Sequence, residues 1–442
     1  MASEWNEEPL SALADLSGGF AFKSADYAPV GRFILRTLNI SDDGSINRED
    51  AVYLPEELCP QYSRFELRPE DTLFVMVGAT LGKVGFVRQK DLPALLNQNM
   101  WLVRARPERA DSRFVHYAFH HAVKDSLGWA SGSARDFVRR DDYRNLKIPA
   151  PPLAEQRSIA HILGTLDDKI ELNRRMSETL EAMARALFKS WFVDFEPVRA
   201  KIEGRWQHGQ SLPGLPAHLY NIFPDRLVDS ELGEIPDGWG EKTIDDLAEI
   251  VGGSTPSTVQ PAYWDDGIHC WVTPKDLSAL RTPVLLNTER RVTDAGLAQI
   301  SSGLLPKGTV LLSSRAPIGY LAIAEVPVAI NQGFIAMKPR TDVPNLFLLL
   351  WARAAHEDIL ARANGSTFLE ISKANFRPLR VVEPSLSVLD AFDRIARPLY
   401  ERIVSNVRES SALAAMRDTL LPKLISGELC VSDAERFVGA SL

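Results

Sequence analysis

Short apolar runs separated by turn-forming residues fill the first 150 positions of the chain. The runs at 33–35, 72–77 and 84–87 predict strands, because short segments rich in Val, Ile and Phe between turn residues are typical of sheets. Apolar positions at helical spacing predict a helix over 113–127. Ser112, just before it, is expected to cap its first turn. Strands and a helix without regular alternation predict an α+β domain.

The region 238–383 has the same pattern. Its apolar runs predict strands at 310–312 and 320–323, followed by a helix that ends near Ala363. Asn345 lies where Ser112 lies in the first domain, and it is expected to cap this helix.

After Pro152 the apolar residues recur every three or four positions, which predicts a long amphipathic helix. This stripe ends near Trp191, so the helix is expected to span about 40 residues, or roughly 60 Å. A second stripe predicts a helix over 392–424. Pro398 lies inside the second stripe, so a kink or a broken first turn is expected there.

One asparagine lies within each apolar stripe, Asn173 in the first and Asn406 in the second. If the two helices pack together, these amides could pair and fix the helix register, as single polar core residues do in coiled coils. Alternatively, both side chains face water at the edges of the stripes.

The second half of the chain repeats the first. At an offset of 234 residues the matches are Trp5/Trp239, Leu13/Leu247, Gly18-Gly19/Gly252-Gly253 and Asn97-Gln98/Asn331-Gln332; the helical stripes match at 233, as in Ile170/Ile403, Leu180/Leu413 and Leu187/Leu420. This period is far longer than the roughly 20–50 residues of solenoid repeats. It therefore indicates a duplicated domain with a duplicated helix, and such a molecule is expected to touch two places on one target.

The predicted order of segments follows from the repeat. It is a first domain (1–150), a central long helix (151–195), a linker rich in Pro and Gly (196–237), a second domain (238–383), a distal long helix (384–430) and a C-terminal tail (431–442).

The composition, 45% hydrophobic and 24% charged, is ordinary for a soluble globular protein. The acidic start of the chain predicts no signal peptide, and the longest apolar run, 346–352, is far below the ~20 residues that a membrane span needs. Cys59, Cys270 and Cys430 lack metal-ligand spacing, so the reducing cytoplasm is the expected location.

The net charge of −8 argues against a generically basic nucleic-acid binder, but the charge is unevenly distributed. Residues 1–80 carry 6 basic and 14 acidic side chains, whereas 81–150 carry 13 and 7. The second domain repeats this, with 5 and 12 in 231–300 and 9 and 5 in 301–380. Either each domain has a positive surface that attracts polyanions, or the charges intermix on folding and cancel.

Motifs for catalysis or cofactor binding are not found in the sequence. Residues 78–83 (GATLGK) have three residues between the glycines where a Walker A motif has four, and Val84 follows the lysine, so a tight strand connection is favoured. His116 and His120 have the spacing of some zinc ligands, but without an HExxH motif an ordinary, partly exposed helix face is favoured. Dinucleotide-binding, nucleophile-elbow and amino-methyltransferase motifs are also missing. The chain is therefore predicted to read a target without catalysing a reaction by itself.

Four segments resemble the specificity (S) subunit of type I restriction–modification systems. They are 148–156 (IPAPPLAEQ), 180–195 (LEAMARALFKSWFVDF), 271–277 (WVTPKDL) and 420–429 (LLPKLISGEL). The resemblance covers essentially the full length of the chain. It departs at 385–388 (SLSV), where the first copy has PLAE, so the two helix starts are not equivalent.

The resemblance implies a subunit that binds a bipartite DNA site and directs adenine methylation and restriction by partner subunits. It implies an α+β fold in which two pseudo-repeated target-recognition domains are separated by two long antiparallel, coiled-coil-like helices. The implied partners are double-stranded DNA, two methyltransferase (modification) subunits and restriction or translocase subunits. S-adenosylmethionine, ATP and Mg are expected on those subunits, with no cofactor or metal in this chain.

Two domains held apart by helices can each approach one segment of the major groove, where base edges are distinguishable, with segment centres about 34–36 Å apart. Lys and Arg supply phosphate contacts, and polar side chains read bases. The DNA-contact candidates are Arg36, Thr37, Asn39, Lys83, Arg135, Arg139 and Arg140 in the first domain, and Thr273, Lys275, Arg315, Ser366, Lys373 and Arg377 in the second.

The apolar stripes are expected to be too long for the chain's own small domains to cover. They are therefore predicted to pack antiparallel and to carry the methyltransferase interface. The interface candidates are Ile170, Leu180, Leu187, Trp191, Ile403, Leu413 and Leu420.

Two other functions are weighed against this one. A fused restriction–modification enzyme would need catalytic motifs that the sequence lacks. A non-catalytic scaffold that joins protein partners through its long helices agrees with the acidic composition, but it leaves the basic segments unexplained.

Overall fold

A computed structural model describes residues 5–78, 80–129, 140–365 and 369–439, with 125–129 and Arg140 described by their backbone alone. The chain divides into two compact units. The first unit contains Met1–Ile170 and Ala412–Leu442, and the second contains Glu171–Ser411.

The first unit is built on three small sheets. The largest is antiparallel, in the order Ala14–Gly18, Met100–Ala105, Thr72–Val75 and Val84–Phe86. A three-stranded sheet has the order Val52–Leu54, Arg32–Leu35 and Ala94–Leu96, and the last two of these strands are parallel. The third sheet has two antiparallel strands, Glu7–Pro9 and Lys147–Pro149. The strands predicted at 33–35, 72–77 and 84–87 are confirmed.

The first unit also contains helices. They are Leu10–Leu13, Ser112–Trp129, Arg140–Arg144 and Val431–Gly439, with 3₁₀ turns at Ser24–Asp26, Thr37–Asn39, Glu56–Phe65 and Gln89–Asp91. Phe74 and Trp101 of the large sheet pack against Phe114 and Phe119 of the helix Ser112–Trp129 in the main core of this unit.

The second unit repeats the sheets of the first. Its largest sheet has the order Ala248–Gly252, Phe334–Pro339, Val310–Ser313, Leu321–Ala324 and Val284–Leu285. A three-stranded sheet has the order Arg290–Val292, His269–Val272 and Val328–Ile330; Gly240–Thr243 pairs with Arg380–Glu383, and Leu227–Ser230 with Gly233–Pro236. The strand register is the same in both units: Leu16 lies opposite Val103, and Ile250 lies opposite Met337, each 234 positions later. The duplication read from the sequence is therefore a duplication of sheet register.

Short helices complete the second unit. They are Glu196–Ile202, Ile244–Leu247, Pro274–Ser278, Asp294–Leu297, Asn345–Ala354, His356–Ala361 and Lys373–Phe376, with 3₁₀ turns at Ala217–Ile222 and Pro261–Tyr263. The helix predicted to end near Ala363 is thus two helices, which meet at Ala355.

Two helices of 40 residues each are confirmed, the central helix Leu153–Phe192 and the distal helix Leu386–Ile425. Within the second unit, Asn173 Nδ2 donates to Glu409 Oε2 at 2.8 Å, whereas Asn406 Nδ2 donates to Ser177 Oγ at 3.2 Å. A later residue of the central helix thus meets an earlier residue of the distal helix, so the pair is antiparallel. The distal helix continues through Pro398 and begins at Leu386, inside the segment 384–430 that the sequence predicts for it.

Both asparagines are buried, at 1% exposure each. The expectation that they face water is therefore wrong. The two residues meet across the helix pair, because Asn406 Nδ2 donates to the backbone carbonyl of Asn173 at 3.4 Å. Their side-chain amides do not pair with each other, since each amide also donates to side chains of the opposite helix.

Both predicted helix caps are wrong. The first turn of Ser112–Trp129 is capped by Asp111, whose Oδ1 accepts from the backbone N–H groups of Arg113 at 3.0 Å and Phe114 at 3.1 Å. Asn345 instead bridges two segments, since Nδ2 donates to the Gly308 carbonyl and Oδ1 accepts from Arg397.

The segments predicted as linker and tail are folded parts of the units. Within 196–237, Val198, Trp206 and Phe223 are buried in the core of the second unit. Within 431–439, Ala434 and Val438 pack in the core of the first unit. No helix in the described part of the chain combines the length and apolar character needed to cross a membrane.

Candidate nucleic-acid interface

A close backbone crossing explains why the second glycine of the Gly-Gly pair occurs in both units. A Cβ on Gly19 would lie 1.9 Å from the Asn97 carbonyl oxygen, and a Cβ on Gly253 would lie 1.8 Å from that of Ile330. Either contact is far inside van der Waals distance, so any other residue would force the strands apart. The repeated glycine therefore fixes the position of the Asn-Gln turn. This turn follows the strand Ala94–Leu96 in the first unit and the strand Val328–Ile330 in the second.

The two residues of this turn have different environments. Asn97 is 8% exposed, and Asn331 uses its Oδ1 to accept from the Gly333 N–H at 2.8 Å. Gln98 and Gln332, in contrast, are exposed in both units. The asparagine is thus buried in the first unit and shapes the turn in the second, whereas the glutamine is presented to solvent in both.

In the second unit, two loops converge on this turn. Asn331 N donates to the Val272 carbonyl at 3.1 Å, and Ser314 N donates to the Gly333 carbonyl at 2.8 Å. Pro274 packs so closely that a Cβ on Gly333 would lie 3.0 Å from its Cγ. The candidates Thr273, Lys275 and Arg315 are carried by these loops, so the structure brings them to the turn.

The first unit has the same arrangement. Asn97 N donates to the Leu35 carbonyl at 3.1 Å, and Met76 N donates to the Asn99 carbonyl at 3.0 Å. The loop after Leu35 carries the candidates Arg36, Thr37 and Asn39, and the hairpin after Met76 carries Lys83. We call each set of loops around the Asn-Gln turn the recognition edge of its unit.

Asn39 does not contact solvent, so its assignment as a base-reading residue is wrong. It is 0% exposed, its Oδ1 accepts from Arg36 N at 3.0 Å, and its Nδ2 donates to the Glu49 carbonyl at 3.0 Å. Thr273 has a related capping role, because its hydroxyl donates to Asp276 Oδ2 at 2.6 Å. Thr37 is half-buried at the start of its 3₁₀ turn.

The basic candidates of the recognition edges are mostly paired with acceptors of the chain itself. Lys83 lies 2.6 Å from Asp42, and Lys275 lies 2.7 Å from Glu289. That carboxylate raises the pKa of Lys275, through its hydrogen bond first and its charge second. Arg315 lies 3.8 Å from Glu370, and Arg36 donates to the Asp50 carbonyl.

Lys373 and Arg377 lie beside the Gly-Gly strand. Lys373 is exposed, and its ammonium passes over Gly252, where a Cβ would lie 3.3 Å from Nζ. Arg377 donates to the Ile250 carbonyl at 3.0 Å and lies 3.3 Å from Asp245. Arg135, Arg139 and Ser366 lie outside the described residues, as does the side chain of Arg140.

Of the two interpretations of the charge pattern, the structure favours intermixing. Basic side chains from the later part of each domain pair with acidic ones from the earlier part, such as Arg104 with Asp71 at 2.6 Å and Lys338 with Glu249 at 2.6 Å. Among the described residues, much of the charge imbalance along the sequence is therefore cancelled by pairing between basic and acidic side chains.

Four of the seven partner-interface candidates are wrong. Trp191, Ile403, Leu413 and Leu420 are buried inside the chain, at 1%, 2%, 4% and 7% exposure. The apolar stripes pack against each other and against the cores of the units, so they are covered by the chain itself. Ile170, Leu180 and Leu187 are half-buried at the margins of these cores and remain predictions.

Polar contacts secure the helix pair as well. In the first unit, Asp167 accepts from Tyr117 at 2.6 Å and from Arg417 at 2.7 Å. Burial and then the charge of Asp167 raise the pKa of Tyr117. These groups hold the two helices to the helix Ser112–Trp129 and are not available to a ligand.

The histidine pair contributes no metal site among the residues described. The His116 and His120 rings are stacked at 6.2 Å, and His116 Nδ1 lies 3.2 Å from the Thr72 hydroxyl. Within the described ranges no group of three or more His, Cys, Asp or Glu side chains is placed to hold a metal ion.

Comparison with known proteins agrees with this architecture. The family model described as the type I restriction modification DNA specificity domain matches residues 2–182 and 236–396. The chain belongs to the family of type I restriction–modification specificity subunits. Both matched segments contain one recognition edge, and DNA recognition is therefore favoured over the scaffold alternative.

Individual relatives extend the comparison. The chain is 27% identical over 331 residues to the type I restriction enzyme HindI specificity subunit of Haemophilus influenzae, which covers 65% of this chain and 70% of the relative. It is 38% identical over 159 residues to the MjaIX specificity subunit of Methanocaldococcus jannaschii, covering 36% and 37%. The crystal structure of a type I system S subunit from M. genitalium, 17% identical, matches with a TM-score of 0.55 over 95% of this chain and 96% of that chain, which shows the shared fold.

Gln98 and Gln332 are the residues of the recognition edges that sequence reasoning did not select. The sequence did contain a signal for them, because the Asn-Gln pair is one of the segments repeated at the 234-residue offset. Only the structure separates the asparagine, which shapes the turn, from the glutamine, which is exposed.

Proposed function

We propose that this chain selects a bipartite DNA sequence for two methyltransferase subunits, and that each unit reads one half of the sequence through its recognition edge. The observation that carries the proposal is the duplication of that edge: both units place their polar and basic candidates around the same glycine-fixed Asn-Gln turn. Duplicated readers with different loops suit a target made of two different half-sites.

Binding strength is expected to depend on the partner subunits. The cations of the recognition edges are mostly paired with Asp42, Glu289 or Glu370, so these carboxylates compete with phosphate groups for them. Phosphate contacts supply a large share of the affinity of DNA-binding proteins. The chain alone, with a net charge of −8, is therefore expected to bind DNA weakly, and the complex tightly.

A flank of the central helix offers a surface for such a partner. Positions 172, 176, 179, 183 and 186 follow one another at steps of three or four, so they share one side of the helix. Leu172 and Met183 are each 52% exposed, and Met176 is half-buried. We call this side the outer flank, and we assign the methyltransferase contact to it in place of the buried stripe.

The chemistry is assigned to the partners. S-adenosylmethionine, ATP and Mg are proposed to bind methyltransferase and restriction subunits, and the isolated chain is expected to catalyse no methyl transfer, ATP hydrolysis or DNA cleavage. Robust activity in a preparation free of partner subunits would contradict this assignment.

Exchange of one recognition domain tests the half-site assignment. Residues 238–383 are replaced by the equivalent domain of a relative with a different target, and methylated adenines are mapped in cells that carry the hybrid and its methyltransferase subunits. One half of the methylated motif should change, while the other half and the spacing stay constant. The reciprocal exchange of 1–150 is the matched control, and it should change the other half. A hybrid that altered both halves would show that the units do not read separately.

A further inference from the structure

Gln98 and Gln332 are identical at equivalent places where the two units have otherwise diverged. Between 91–105 and 325–339, three of the 15 aligned positions are identical: one is a proline, and the other two are the Asn-Gln pair. The asparagine has a structural reason, since it shapes the turn. The fold does not explain why the glutamine is identical in both units, because this side chain is exposed in each of them.

Both glutamine amides keep hydrogen-bonding groups that a ligand can use. Gln98 makes no side-chain hydrogen bond to any described residue, whereas its backbone N–H is anchored to the Phe20 carbonyl at 2.8 Å. Gln332 Oε1 accepts from the Thr255 hydroxyl, which fixes the orientation of the amide. An amide oxygen has two lone pairs, so one acceptor site and the whole Nε2 group of Gln332 remain for a ligand.

Residues that differ between the two recognition edges are expected to contact the bases that differ between the two half-sites. A residue that is the same in both recognition edges is expected to contact a feature that both half-sites share. On the proposed function, that shared feature is the A·T pair whose adenine is methylated. Enzymes that modify a base extrude it from the duplex, so the group that faces this pair meets the thymine left behind.

We infer that Gln98 and Gln332 each bind the thymine opposite the methylated adenine, one in each half-site, and that they stabilise the duplex while the adenine is extruded. The chemistry is complementary. The pairing edge of thymine has an N3–H donor and carbonyl acceptors, and a glutamine amide offers one acceptor and one donor group at matching separation. This inference rests on the proposed function and adds a residue-level role to it.

The test uses the complex with its methyltransferase subunits and a duplex that carries the mapped motif. In one half-site the methylated adenine is replaced by a tetrahydrofuran abasic residue. The opposite position carries either thymine or difluorotoluene, which has the shape of thymine but lacks its hydrogen-bonding groups. The wild-type complex should prefer thymine by about 5- to 150-fold in Kd, the range for a two-bond contact to a base.

The variants make the test specific to one half-site. Gln332→Ala should remove the thymine preference in the half-site read by the second unit and leave it in the other, and Gln98→Ala should do the reverse. Gln61→Ala and Gln210→Ala change exposed glutamines elsewhere in the same units, and they should keep both preferences. Equal unfolding temperatures of the four variants would show that the glutamine substitutions do not change binding by destabilising the fold.

Three results would count against the inference, in different ways. A thymine preference that persists in Gln98→Ala and Gln332→Ala would overturn it. If 7-deazaadenine at the methylated position weakened binding of the wild type but not of these variants, the glutamines would read the adenine, and the thymine assignment would be wrong. If the complex methylated no bipartite motif, the proposed function itself would have failed, and that result is visible before any glutamine is changed.

Discussion

Asn406 donates its side-chain amide to the Ser177 hydroxyl at 3.2 Å across the helix pair. The related contact occurs 233 positions away, where Asn173 donates to the Ser410 hydroxyl at 3.5 Å. Both asparagines are 1% exposed, and the Oδ1 atom of each has no hydrogen-bond partner among the described residues. A buried polar layer of this kind lowers stability but fixes helix register, as single asparagines do in coiled coils.

The first prediction concerns this layer. Asn406→Leu removes a buried acceptor without a partner, so thermal stability should stay equal or rise, while the helix pair loses a constraint on its register. Asn406→Asp has nearly the same shape but brings a charge into a buried site, so it should lower the unfolding temperature strongly. Thermal unfolding and light scattering measure both effects. A strongly destabilised, homogeneous Asn406→Leu protein would contradict the interpretation.

The second prediction separates the two glycines of the repeated pair. Gly19→Ala places a Cβ 1.9 Å from the Asn97 carbonyl oxygen, whereas a Cβ on Gly18 meets nothing within 4 Å. Gly19→Ala should therefore destabilise the first unit by about 1–3 kcal/mol, as overpacking does, and Gly18→Ala should change stability by less than about 0.5 kcal/mol. Denaturant unfolding gives both values. Equal effects of the two changes would show that the close crossing is not needed.

Much of the fold could be predicted because it depends on patterns that the sequence states directly. Apolar spacing located the strands and both long helices, and the 234-residue offset predicted a duplicated domain. The structure shows that this duplication extends to the strand register, because the pair Leu16 and Val103 is repeated as Ile250 and Met337. The caps were less predictable. Asp111 and Ser112 are both good capping residues, and only the start of the helix decides which one accepts the free N–H groups.

The site could be predicted only in part, for two physical reasons. An apolar stripe shows that a helix face is buried but not what buries it, so Trp191 and Leu413 were assigned to a partner although the chain covers them. A polar residue in a loop has the same signature whether it shapes the loop or faces solvent. Asn39 and Gln98 therefore looked alike in the sequence, and only burial distinguishes them.

The third prediction is a pH dependence. Burial, and then the positive charges of His120 and nearby arginines, lower the pKa of His116 from 6.5 to about 3. Below pH 6.5 the imidazole of residue 116 is protonated in the unfolded chain but stays neutral in the folded chain. The stability that neutral His116 provides is therefore complete above pH 6.5, and it falls by up to about 1.4 kcal/mol per pH unit as the pH drops toward 3.

The variant His116→Gln tests this assignment, because glutamine can still bond to the Thr72 hydroxyl but does not titrate. The difference in unfolding temperature between the wild type and the variant should change between about pH 7 and pH 4.5, in favour of the variant at the lower pH. Carboxylates titrate in both proteins and cancel in the comparison. A difference that is constant with pH would show that His116 does not carry the effect.

The last prediction concerns the methyltransferase contact. Met183→Glu changes an outer-flank residue that is 52% exposed, so the chain should fold normally and its unfolding temperature should change little. If a partner covers this flank, the new carboxylate is buried without a partner charge, and such burial is costly. Co-purification with the methyltransferase subunits should then weaken by at least about tenfold, the effect of 1.4 kcal/mol.

Two comparisons decide between the outer flank and the buried stripe. Leu413→Asp changes a residue that is 4% exposed, so it should lose the methyltransferase because the chain itself unfolds, with a lowered unfolding temperature. Glu178→Gln, on an exposed position of the charged side of the same helix, should leave both folding and assembly unchanged. Loss of assembly with intact folding in Met183→Glu alone therefore places the partner on the outer flank. If Met183→Glu assembled normally, the contact would have to lie on another surface, because the stripe that contains Leu413 is already covered by the chain.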